Sequence, residues 1–210
     1  MRKVRVGQAA TAAQIKKMSG LRIISGQFKG RRLEAPDGPQ IRPTSDRLRE
    51  RIFSILQSRV GSFEGLSVAD IFAGTGAMGI EAISRGAAKA WFVEKHQGSL
   101  ELLRGNLEKV GIAKIGRVIA ADARQLPKAE EPFNILFLDP PYGRRLAEPT
   151  LTSLVECGWA GNESLVIVEI AADDPFDLPD EFRLVDERQQ GNSRVVFAVF
   201  AGAGKSTAAK

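Results

Sequence analysis

The sequence predicts an α/β protein with a doubly wound, mainly parallel sheet that ends in an antiparallel C-terminal strand. Short apolar runs alternate with amphipathic, helix-like segments, a glycine-rich segment joins the first run to a helix, and an acid follows each of four runs. A basic segment before these elements predicts a small N-terminal hairpin.

The composition is that of one soluble globular domain. The 210 residues are 43% hydrophobic and 26% charged, which suits a chain with a sizeable core. No apolar stretch approaches the roughly 18 residues needed to cross a bilayer. The single cysteine, Cys157, cannot form an internal disulfide, and the single histidine, His96, completes no metal cluster or triad with it. We therefore expect a cytoplasmic protein without membrane or metal partners.

Positive charge is concentrated at the N-terminus. Residues 1–51 hold 13 Lys and Arg against 4 acids, whereas the rest of the chain holds 17 against 21. Residues 1–20 are expected to be a disordered basic tail and residues 21–41 a basic hairpin extension with its turn at 26–30. Cations with an interleaved aromatic suit contact with phosphates and an unpaired base, although a solvated face without a partner is the alternative. The candidate RNA-binding residues in the hairpin are Arg22, Phe28, Lys29, Arg31 and Arg32.

The main domain, predicted over residues 42–201, begins with a helix that opens at Arg42-Pro43-Thr44-Ser45-Asp46 and runs to about Ser58. Thr44 or Ser45 can cap it, and its apolar stripe faces the core. Of the basic side chains off this stripe, some can point toward nucleic acid and some toward a cofactor carboxylate. They are Arg42, Arg47, Arg49 and Arg51.

A glycine-rich loop follows the first strand, residues 66–69. Residues 74–79 read G-x-G-x-x-G and a helix follows at 80–85, which predicts a Rossmann-like arrangement. Glycine leaves no Cβ in the way, so the backbone at Gly74 and Gly76 can approach an adenosine-like ligand. Asp70 at the strand end would attract the cationic amino-acid tail of S-adenosylmethionine, directly or through water, and repel the pyrophosphate of NAD. The loop therefore favours S-adenosylmethionine.

Further strands also end near acids. Residues 90–94 end at Glu94, which is placed to accept both ribose hydroxyls of a nucleoside. Residues 118–123 contain Asp122, whose position suits the amino group of adenine. Carboxyl ends of parallel strands meet at one edge of the sheet, so we expect Asp70, Glu94, Asp122 and Asp139 to line one crevice. Ordinary exposed strand-end acids are the alternative.

The run Asp139-Pro140-Pro141-Tyr142 follows the apolar strand 133–138 and indicates a reaction. An exocyclic amine of a nucleobase is a poor nucleophile because its lone pair is delocalised into the ring. The Asp139 carboxylate and a backbone carbonyl can each accept one of its N–H groups. Pro140 and Pro141 have fixed φ and no N–H, so they keep the turn stiff. Tyr142 can stack on the base. These four residues are the candidate catalytic set.

The remaining segments complete the alternation. Helices are predicted at residues 99–110 and 149–157 and a fifth strand at 164–170. Residues 182–188 and 195–200 suit an antiparallel pair joined by a turn at 191–194. Residues 202–210 are expected to be a disordered tail.

The order of glycine-rich loop, Glu94, Asp122 and Asp-Pro-Pro-Tyr resembles that of class I S-adenosylmethionine-dependent amino-methyltransferases. With Arg22-Ile23-Ile24-Ser25-Gly26 and Arg42-Pro43-Thr44-Ser45-Asp46-Arg47, residues 21–200 resemble the bacterial small-subunit ribosomal RNA guanine-N2 methyltransferase family. The resemblance implies methyl transfer to one guanine of 16S rRNA, in the free RNA or the small subunit. We expect the protein to be a monomer. The cofactor contacts it implies are Thr44, Asp70, Ala73, Gly74, Gly76, Glu94, Lys95, Asp122 and Ala123.

Other functions share parts of this pattern. A DNA adenine or cytosine amino-methyltransferase would share Asp-Pro-Pro-Tyr but act on another base. An NAD-dependent oxidoreductase would share the glycine-rich loop and have no use for Asp-Pro-Pro-Tyr. A non-catalytic RNA-binding assembly factor would use the basic N-terminus and could retain a vestigial pocket.

Overall fold

The computed structural model describes residues 21–35 and 46–202 of the chain. The predicted tails, apart from Gly202, lie outside the described residues, as do Arg42, Thr44 and Ser45. In the part of the chain that is described, no helix combines the length and the apolar character needed to span a bilayer.

Four helices and seven strands make up the described part of the domain. Their bounds lie within four residues of those predicted. In chain order they are α1 (Asp46–Val60), β1 (Ser67–Ile71), α2 (Ala77–Ser84), β2 (Lys89–Glu94), α3 (Gln97–Val110), β3 (Gly116–Ala120), β4 (Phe133–Leu138), α4 (Ala147–Glu156), β5 (Ala160–Ala171), β6 (Phe182–Gln190) and β7 (Ser193–Phe200).

All seven strands belong to one sheet in the order β3-β2-β1-β4-β5-β7-β6. The pairs from β3 to β5 are parallel, and β7 runs antiparallel between β5 and β6. The predicted doubly wound, mainly parallel sheet with an antiparallel C-terminal strand is confirmed. Strand order reverses between β1 and β4, and in such sheets ligands bind beyond the carboxyl ends of the strands at this switch point.

Each face of the sheet has its own hydrophobic core. On one face, α1, α2 and α3 pack over side chains such as Phe92 and Phe137. On the other face, α4 packs with Trp159 and with apolar residues of the helix-free segments 121–132 and 172–181. Because β1 and most of β4 are buried on both faces, the positions of their carboxyl ends are fixed by packing.

Residues 21–35, called the N-terminal arm from here on, form the predicted hairpin in a minimal form. A single antiparallel bridge joins Arg22 to Arg32, and turns connect the two sides. Leu21, Ile23 and Leu33 are buried in the core beneath α1, α2 and α3. The arm therefore shares a core with the domain, whereas the predicted boundary after residue 41 separates the two.

The backbone of the arm packs directly against the backbone at the end of α2. A Cβ on Gly26 would overlap the Ser84 carbonyl oxygen, and the φ of Gly26 is +80°. Ser84 also accepts the Phe28 N–H through its hydroxyl at 3.0 Å, and its carbonyl accepts the Gln27 N–H at 2.7 Å. Only glycine fits at position 26 in this packing.

Arg49 of α1 lies inside this joint. Its side chain is 1% exposed, and its Nη2 donates to the Arg22 carbonyl at 2.6 Å and to the Asp46 carboxylate at 2.8 Å. Arg49 is therefore not one of the basic side chains of this helix that can point toward nucleic acid, and the expectation that it lies away from the core is wrong. The helix pattern places Arg49 off the apolar stripe, and the arm covers that side of α1.

Candidate functional site

The glycine-rich loop leads from β1 into α2 at the switch point of the sheet. Gly74 and Gly76 have φ values of 52° and 80°, and Phe72 at the end of β1 has φ 65°. A positive φ is uncommon for a residue with a Cβ and stores strain of the kind found at functional sites. A Cβ on Gly76 would lie 2.5 Å from Leu103 Cδ1, so packing as well as φ requires glycine there.

Asp70 lies beneath this loop at the end of β1. Its side chain is 3% exposed, and Oδ2 accepts the Gly79 backbone N–H at 2.9 Å. Helix α2 has no side-chain cap at Gly76, so the Asp70 carboxylate satisfies the start of the helix from the neighbouring strand. Burial raises the pKa of Asp70 to about 7, although the Gly79 amide opposes that rise. The Asp70 carboxylate links the glycine-rich loop to α2. Because this carboxylate is buried, it has no exposed surface for direct contact with the cationic amino-acid tail of the expected ligand.

Glu94 ends β2 beside the same loop and is half-buried. Its Oε2 accepts the Gly74 N–H at 3.0 Å, and its Oε1 accepts the Lys95 and His96 N–H groups at 2.8 and 2.7 Å. A carboxylate offers about four lone-pair sites, so Glu94 keeps acceptor capacity for a ligand hydroxyl. The carboxylate links the glycine-rich loop to the turn after β2.

Asp122 lies just beyond β3 and is held by two cations. Arg124 donates to it from Nη2 at 2.7 Å and from Nε at 3.0 Å, and Lys95 Nζ donates at 3.0 Å. These bonds, those of Arg124 above all, hold the pKa of Asp122 well below its usual range. Asp122 is therefore a permanent acceptor. Lys95, expected to contact a cofactor, is paired with it, and the adjacent Ala123 is buried in the core.

The Asp-Pro-Pro-Tyr turn begins where β4 leaves the sheet beside β1. The Asp139 N–H donates to the Ile71 carbonyl at 3.4 Å, so Asp139 starts next to the glycine-rich loop. Asp139 is half-buried and Pro140 is buried. At the far end of the turn, Gly143 has φ 70° and its N–H donates to the Asp174 carboxylate at 2.9 Å. The turn is therefore fixed at both ends.

The ring of Tyr142 is 46% exposed, yet its hydroxyl is anchored. The hydroxyl donates to Glu169 Oε1 at 3.1 Å and lies 2.9 Å from Ser193 Oγ. Burial of the hydroxyl raises the pKa of Tyr142 to about 12, and the carboxylates of Glu169 and Asp139 add to the rise. The phenol therefore stays neutral, and its ring presents a fixed, accessible surface that suits stacking.

Four acids lie along one edge of the sheet, as the sequence predicts. The strand order β3-β2-β1-β4 places Asp122, Glu94, Asp70 and Asp139 in that sequence at adjacent carboxyl ends. Neighbouring strands are about 4.8 Å apart, so the row extends over roughly 15 Å. The common edge is confirmed, while the contacts of these acids with a ligand stay predictions.

The residues at this edge fit S-adenosylmethionine. A Cβ built on Gly74 would meet only the Phe72 carbonyl oxygen, at 3.9 Å, so the backbone there borders open space. Glu94 keeps an acceptor site for a hydroxyl group, whereas Asp122 already accepts four bonds from Arg124 and Lys95 and can accept an amino group only in exchange for one of them. The row of acids favours a cationic ligand over a pyrophosphate. Ala73 is buried behind the loop.

The cations of the N-terminal arm are exposed, and two of them also contact the protein. Arg22 pairs with Asp46 at 3.2 Å. Arg31 donates to the Val110 carbonyl at 3.0 Å, and its guanidinium lies 5.0 Å from the centre of the Phe28 ring. Phe28 is half-buried against the core, so Arg31 and the core limit its access to an unpaired base. The other described candidates, all exposed, are Lys29, Arg32 and Arg47.

Sequence reasoning missed three buried polar residues around the site: Glu81, Asn106 and Glu169. Glu81 on α2 accepts the Ile24 and Ser25 N–H groups of the arm at 2.7 and 3.0 Å and pairs with Arg85 at 2.8 Å. The sequence signal that could have identified these residues is a polar side chain among the apolar positions of a helix or strand.

Neither Cys157 nor His96 belongs to a metal-binding group among the described residues. Cys157 is half-buried, and its Sγ donates to the Leu126 carbonyl at 3.0 Å. Among residues 21–35 and 46–202, no group of three or more His, Cys, Asp or Glu side chains is arranged to hold a metal ion.

A family model described as "Conserved hypothetical protein 95" matches residues 21–199. Ribosomal RNA small subunit methyltransferase D of Escherichia coli (strain K12) is 42% identical over 152 residues, which cover 71% of this chain and 74% of that protein. The protein of the same name from Haemophilus influenzae is 33% identical, with 81% and 89% covered. The putative rRNA methyltransferase YlbH of Bacillus subtilis is 34% identical, with 76% and 86% covered.

Solved structures agree with these relatives. The putative methyltransferase yhhF from Escherichia coli has a TM-score of 0.74 and 35% identity and covers 86% of this chain and 98% of its own. An RNA methyltransferase from Salinibacter ruber, solved in complex with S-adenosyl-L-homocysteine, has a TM-score of 0.59 at 15% identity, covers 80% of this chain and 100% of its own, and shares the fold alone. The chain belongs to the Conserved hypothetical protein 95 family of methyltransferases, together with the ribosomal RNA small subunit methyltransferase D proteins.

Proposed function

We propose that this protein is a cytoplasmic, monomeric enzyme that methylates the exocyclic N2 amine of a guanine in 16S rRNA of the small ribosomal subunit. The observation that carries the proposal is the Asp-Pro-Pro-Tyr turn, whose acid lies next to the glycine-rich loop and whose tyrosine is accessible. Relatives of this chain are named for methylating small-subunit ribosomal RNA, which supports RNA as the substrate.

The cofactor is S-adenosylmethionine, which when bound supplies a methyl group already activated on a sulfonium. The open backbone at Gly74 accommodates the ligand beside Gly76, Glu94 accepts its ribose hydroxyls and Asp122 its amino group. Asp70 acts through the loop by capping α2. The other proposed contacts are Thr44, Ala73, Lys95 and Ala123.

Asp139 and the Pro140 carbonyl prepare the target amine. Each accepts one N–H of the amine, which favours a pyramidal nitrogen whose lone pair is no longer delocalised into the ring. Once the bound cofactor has supplied its methyl group, the nitrogen would carry one proton too many, for which the Asp139 carboxylate is the adjacent acceptor. Since the prolines and the bond from Gly143 to Asp174 fix the turn, these acceptors are positioned before the substrate arrives.

Tyr142 holds the guanine after it has left its stack in the RNA. The ring stacks on the base, and the bonds of its hydroxyl to Glu169 and Ser193 keep the ring in place. Because the pKa of Tyr142 is about 12, the residue serves as a surface and a donor rather than as a base.

The N-terminal arm contacts the RNA backbone. Its exposed cations are carried on a segment that shares the domain core. Neutralised phosphates release counterions, which makes such binding depend on salt. The proposed contacts are Arg22, Phe28, Lys29, Arg31, Arg32, Arg42 and Arg47.

The test uses radiolabelled S-adenosylmethionine with unmethylated small subunits, free 16S rRNA or duplex DNA, followed by digestion and identification of the labelled nucleoside. Label in N2-methylguanosine from RNA is expected, and Asp139→Ala should remove it. Label in DNA adenine or cytosine would support methylation of an exocyclic amine but contradict 16S rRNA as the substrate. Cofactor binding without any label would favour an RNA-binding assembly factor, and thermal protection by NAD alone would favour an oxidoreductase.

A further inference from the structure

Asn106 lies within α3, and its side chain is completely buried. A buried amide lowers stability unless its polar atoms are hydrogen-bonded. The Asn106 side chain makes three such bonds. Its Oδ1 accepts the Glu34 N–H at 2.8 Å, and its Nδ2 donates to the Glu34 carbonyl and to the Thr75 carbonyl, both at 3.0 Å. Asn106 therefore binds both backbone groups of Glu34, as a neighbouring strand would, and in addition holds Thr75.

Glu34 and Thr75 belong to two parts of the protein with different tasks. Glu34 lies in the N-terminal arm, two residues after Arg32, which pairs with Arg22 across the hairpin. Thr75 lies between Gly74 and Gly76 in the glycine-rich loop. A single side chain thus contacts the segment that carries the exposed cations and the loop beside the open space for the cofactor.

The conformation of this loop depends on contacts from outside it. Phe72 has a positive φ, which a residue with a Cβ seldom adopts, so the backbone at the start of the loop is held by its surroundings. The bond from Asn106 fixes the direction of the Thr75 carbonyl, and with it the peptide planes on either side. If Glu34 moves, the rigid side-chain amide of Asn106 transmits the displacement to the peptide groups on either side of the Thr75 carbonyl.

We propose that Asn106 is a positioning residue that couples RNA binding on the N-terminal arm to S-adenosylmethionine binding at the glycine-rich loop. This inference rests on the proposed function, which supplies the two ligands. RNA that holds the arm fixes Glu34, Glu34 fixes the Asn106 amide, and the amide holds the loop in its ligand-binding form. By linkage, the cofactor must strengthen RNA binding by the same factor.

Other contacts hold the arm without touching the loop. Arg31 donates to the Val110 carbonyl at 3.0 Å, and Lys109 pairs with Glu34 at 3.4 Å between exposed side chains. Both partners belong to the last turn of α3. Lys109→Ala is therefore a matched control, because it removes a contact to Glu34 and leaves Asn106 in place.

The experiment measures coupling with S-adenosylhomocysteine, which prevents turnover. Equilibrium dialysis gives its Kd with and without unmethylated small subunits, and filter binding gives the subunit Kd with and without the ligand. In the wild type each ligand should tighten the other by the same factor, about fivefold or more. Asn106→Ala should bring both factors close to one, whereas Lys109→Ala should keep them. An unchanged factor in Asn106→Ala would overturn the proposal.

One further measurement on the wild type covers the case in which Asn106→Ala fails to fold. In the wild type without RNA, S-adenosylhomocysteine should slow hydrogen exchange at the Glu34 amide, and an unchanged rate would contradict the inference. Binding of both ligands without coupling defeats this inference alone, whereas binding of neither ligand defeats the proposed function as well.

Discussion

The hydroxyl of Tyr142 lies 3.1 Å from the carboxylate of Glu169, a buried residue of β5. Ser193, the first residue of the antiparallel strand β7, lies 2.9 Å from the same hydroxyl. The pairing of Leu138 with Val168 places Asp139 and Glu169 next to each other on adjacent strands. The ring of the Asp-Pro-Pro-Tyr turn is thus anchored by β5 and β7, strands that carry no part of the motif, and the acid lies beside β5.

Two substitutions of Tyr142 distinguish the contribution of its ring from that of its hydroxyl. Tyr142→Ala should lower kcat/KM for RNA by about 5- to 150-fold, since stacking of a base on an aromatic ring is worth roughly 1–3 kcal/mol. Tyr142→Phe keeps the ring and loses its anchor, so a smaller decrease is expected. Steady-state kinetics on small subunits measure both. Equal losses in the two variants would show that the hydroxyl matters more than stacking.

Asp139 should be essential for transfer and dispensable for cofactor binding. Asp139→Asn removes the negative charge beside the amine, and we expect transfer to slow by at least about 100-fold. The Kd of S-adenosylmethionine, measured by calorimetry, should change little. Asp174→Asn is the control, because Asp174 contacts the same turn through the Gly143 N–H and not the amine. Parallel loss of binding and transfer in Asp139→Asn would contradict this role.

Stability should depend on pH through Asp70. Its pKa is about 7 in the folded protein against an ordinary value of 3.8, so the folded state holds the proton more tightly. The free energy of unfolding therefore falls as pH rises from about 4 to about 7 and levels off above, by a few kcal/mol at about 1.4 kcal/mol per pKa unit.

Asp70→Asn tests this dependence because its amide oxygen can still accept the Gly79 N–H and does not titrate. Urea unfolding at about pH 5 and about pH 8 should show the variant gaining stability relative to the wild type at the higher pH. A difference that stays constant between the two pH values would contradict the raised pKa.

Two glycines provide a matched pair for the packing of the loop. A Cβ on Gly79 would overlap the Phe92 ring, whereas a Cβ on Gly105 in α3 would meet nothing within 4 Å. Gly79→Ala should destabilise the protein by about 1–3 kcal/mol through overpacking. Gly105→Ala should stabilise it by roughly 0.5–1 kcal/mol, as alanine does within a helix. Denaturant unfolding curves measure both, and equal effects would contradict the close packing at Gly79.

The arm should contribute a salt-dependent part of RNA binding. Arg31→Gln with Arg32→Gln should weaken binding to small subunits and flatten its dependence on salt by about one unit of slope for each phosphate that is no longer neutralised. Arg183→Gln, an exposed cation on β6, is the control. Arg31 also bonds the Val110 carbonyl, so thermal unfolding must accompany the binding titration. Binding that is unchanged at every salt concentration would leave the arm with a structural role only.

The fold and the row of acids could be predicted because both depend on local patterns. Apolar runs identify the strands, and the carboxyl ends of parallel strands meet at one edge whatever the details of packing. The task of Asp70 could not be predicted in the same way. Its partner, the Gly79 N–H, comes within reach only when α2 packs beside β1, and sequence spacing does not show which carboxylates become buried.

Contacts between distant segments explain what was missed. Glu169 and Tyr142 are 27 residues apart, and their bond depends on the placement of β5 beside β4. Arg49 belongs to a helix whose pattern turns it toward solvent, and only the folded arm buries it. Asn106 offered a signal, a polar residue next to the apolar Leu107 of α3, without showing which segments it would join.

Under the proposed contact of the arm with RNA, the close approach of Gly26 to Ser84 makes target recognition non-modular in this protein. An appended recognition domain can be exchanged or deleted while the catalytic fold survives. Here the cations sit on a backbone wedged against the helix that follows the cofactor loop, with Leu21, Ile23 and Leu33 in the common core. A change of RNA target would therefore proceed by replacing side chains on a constant scaffold, since truncating the arm would remove part of the core that supports catalysis.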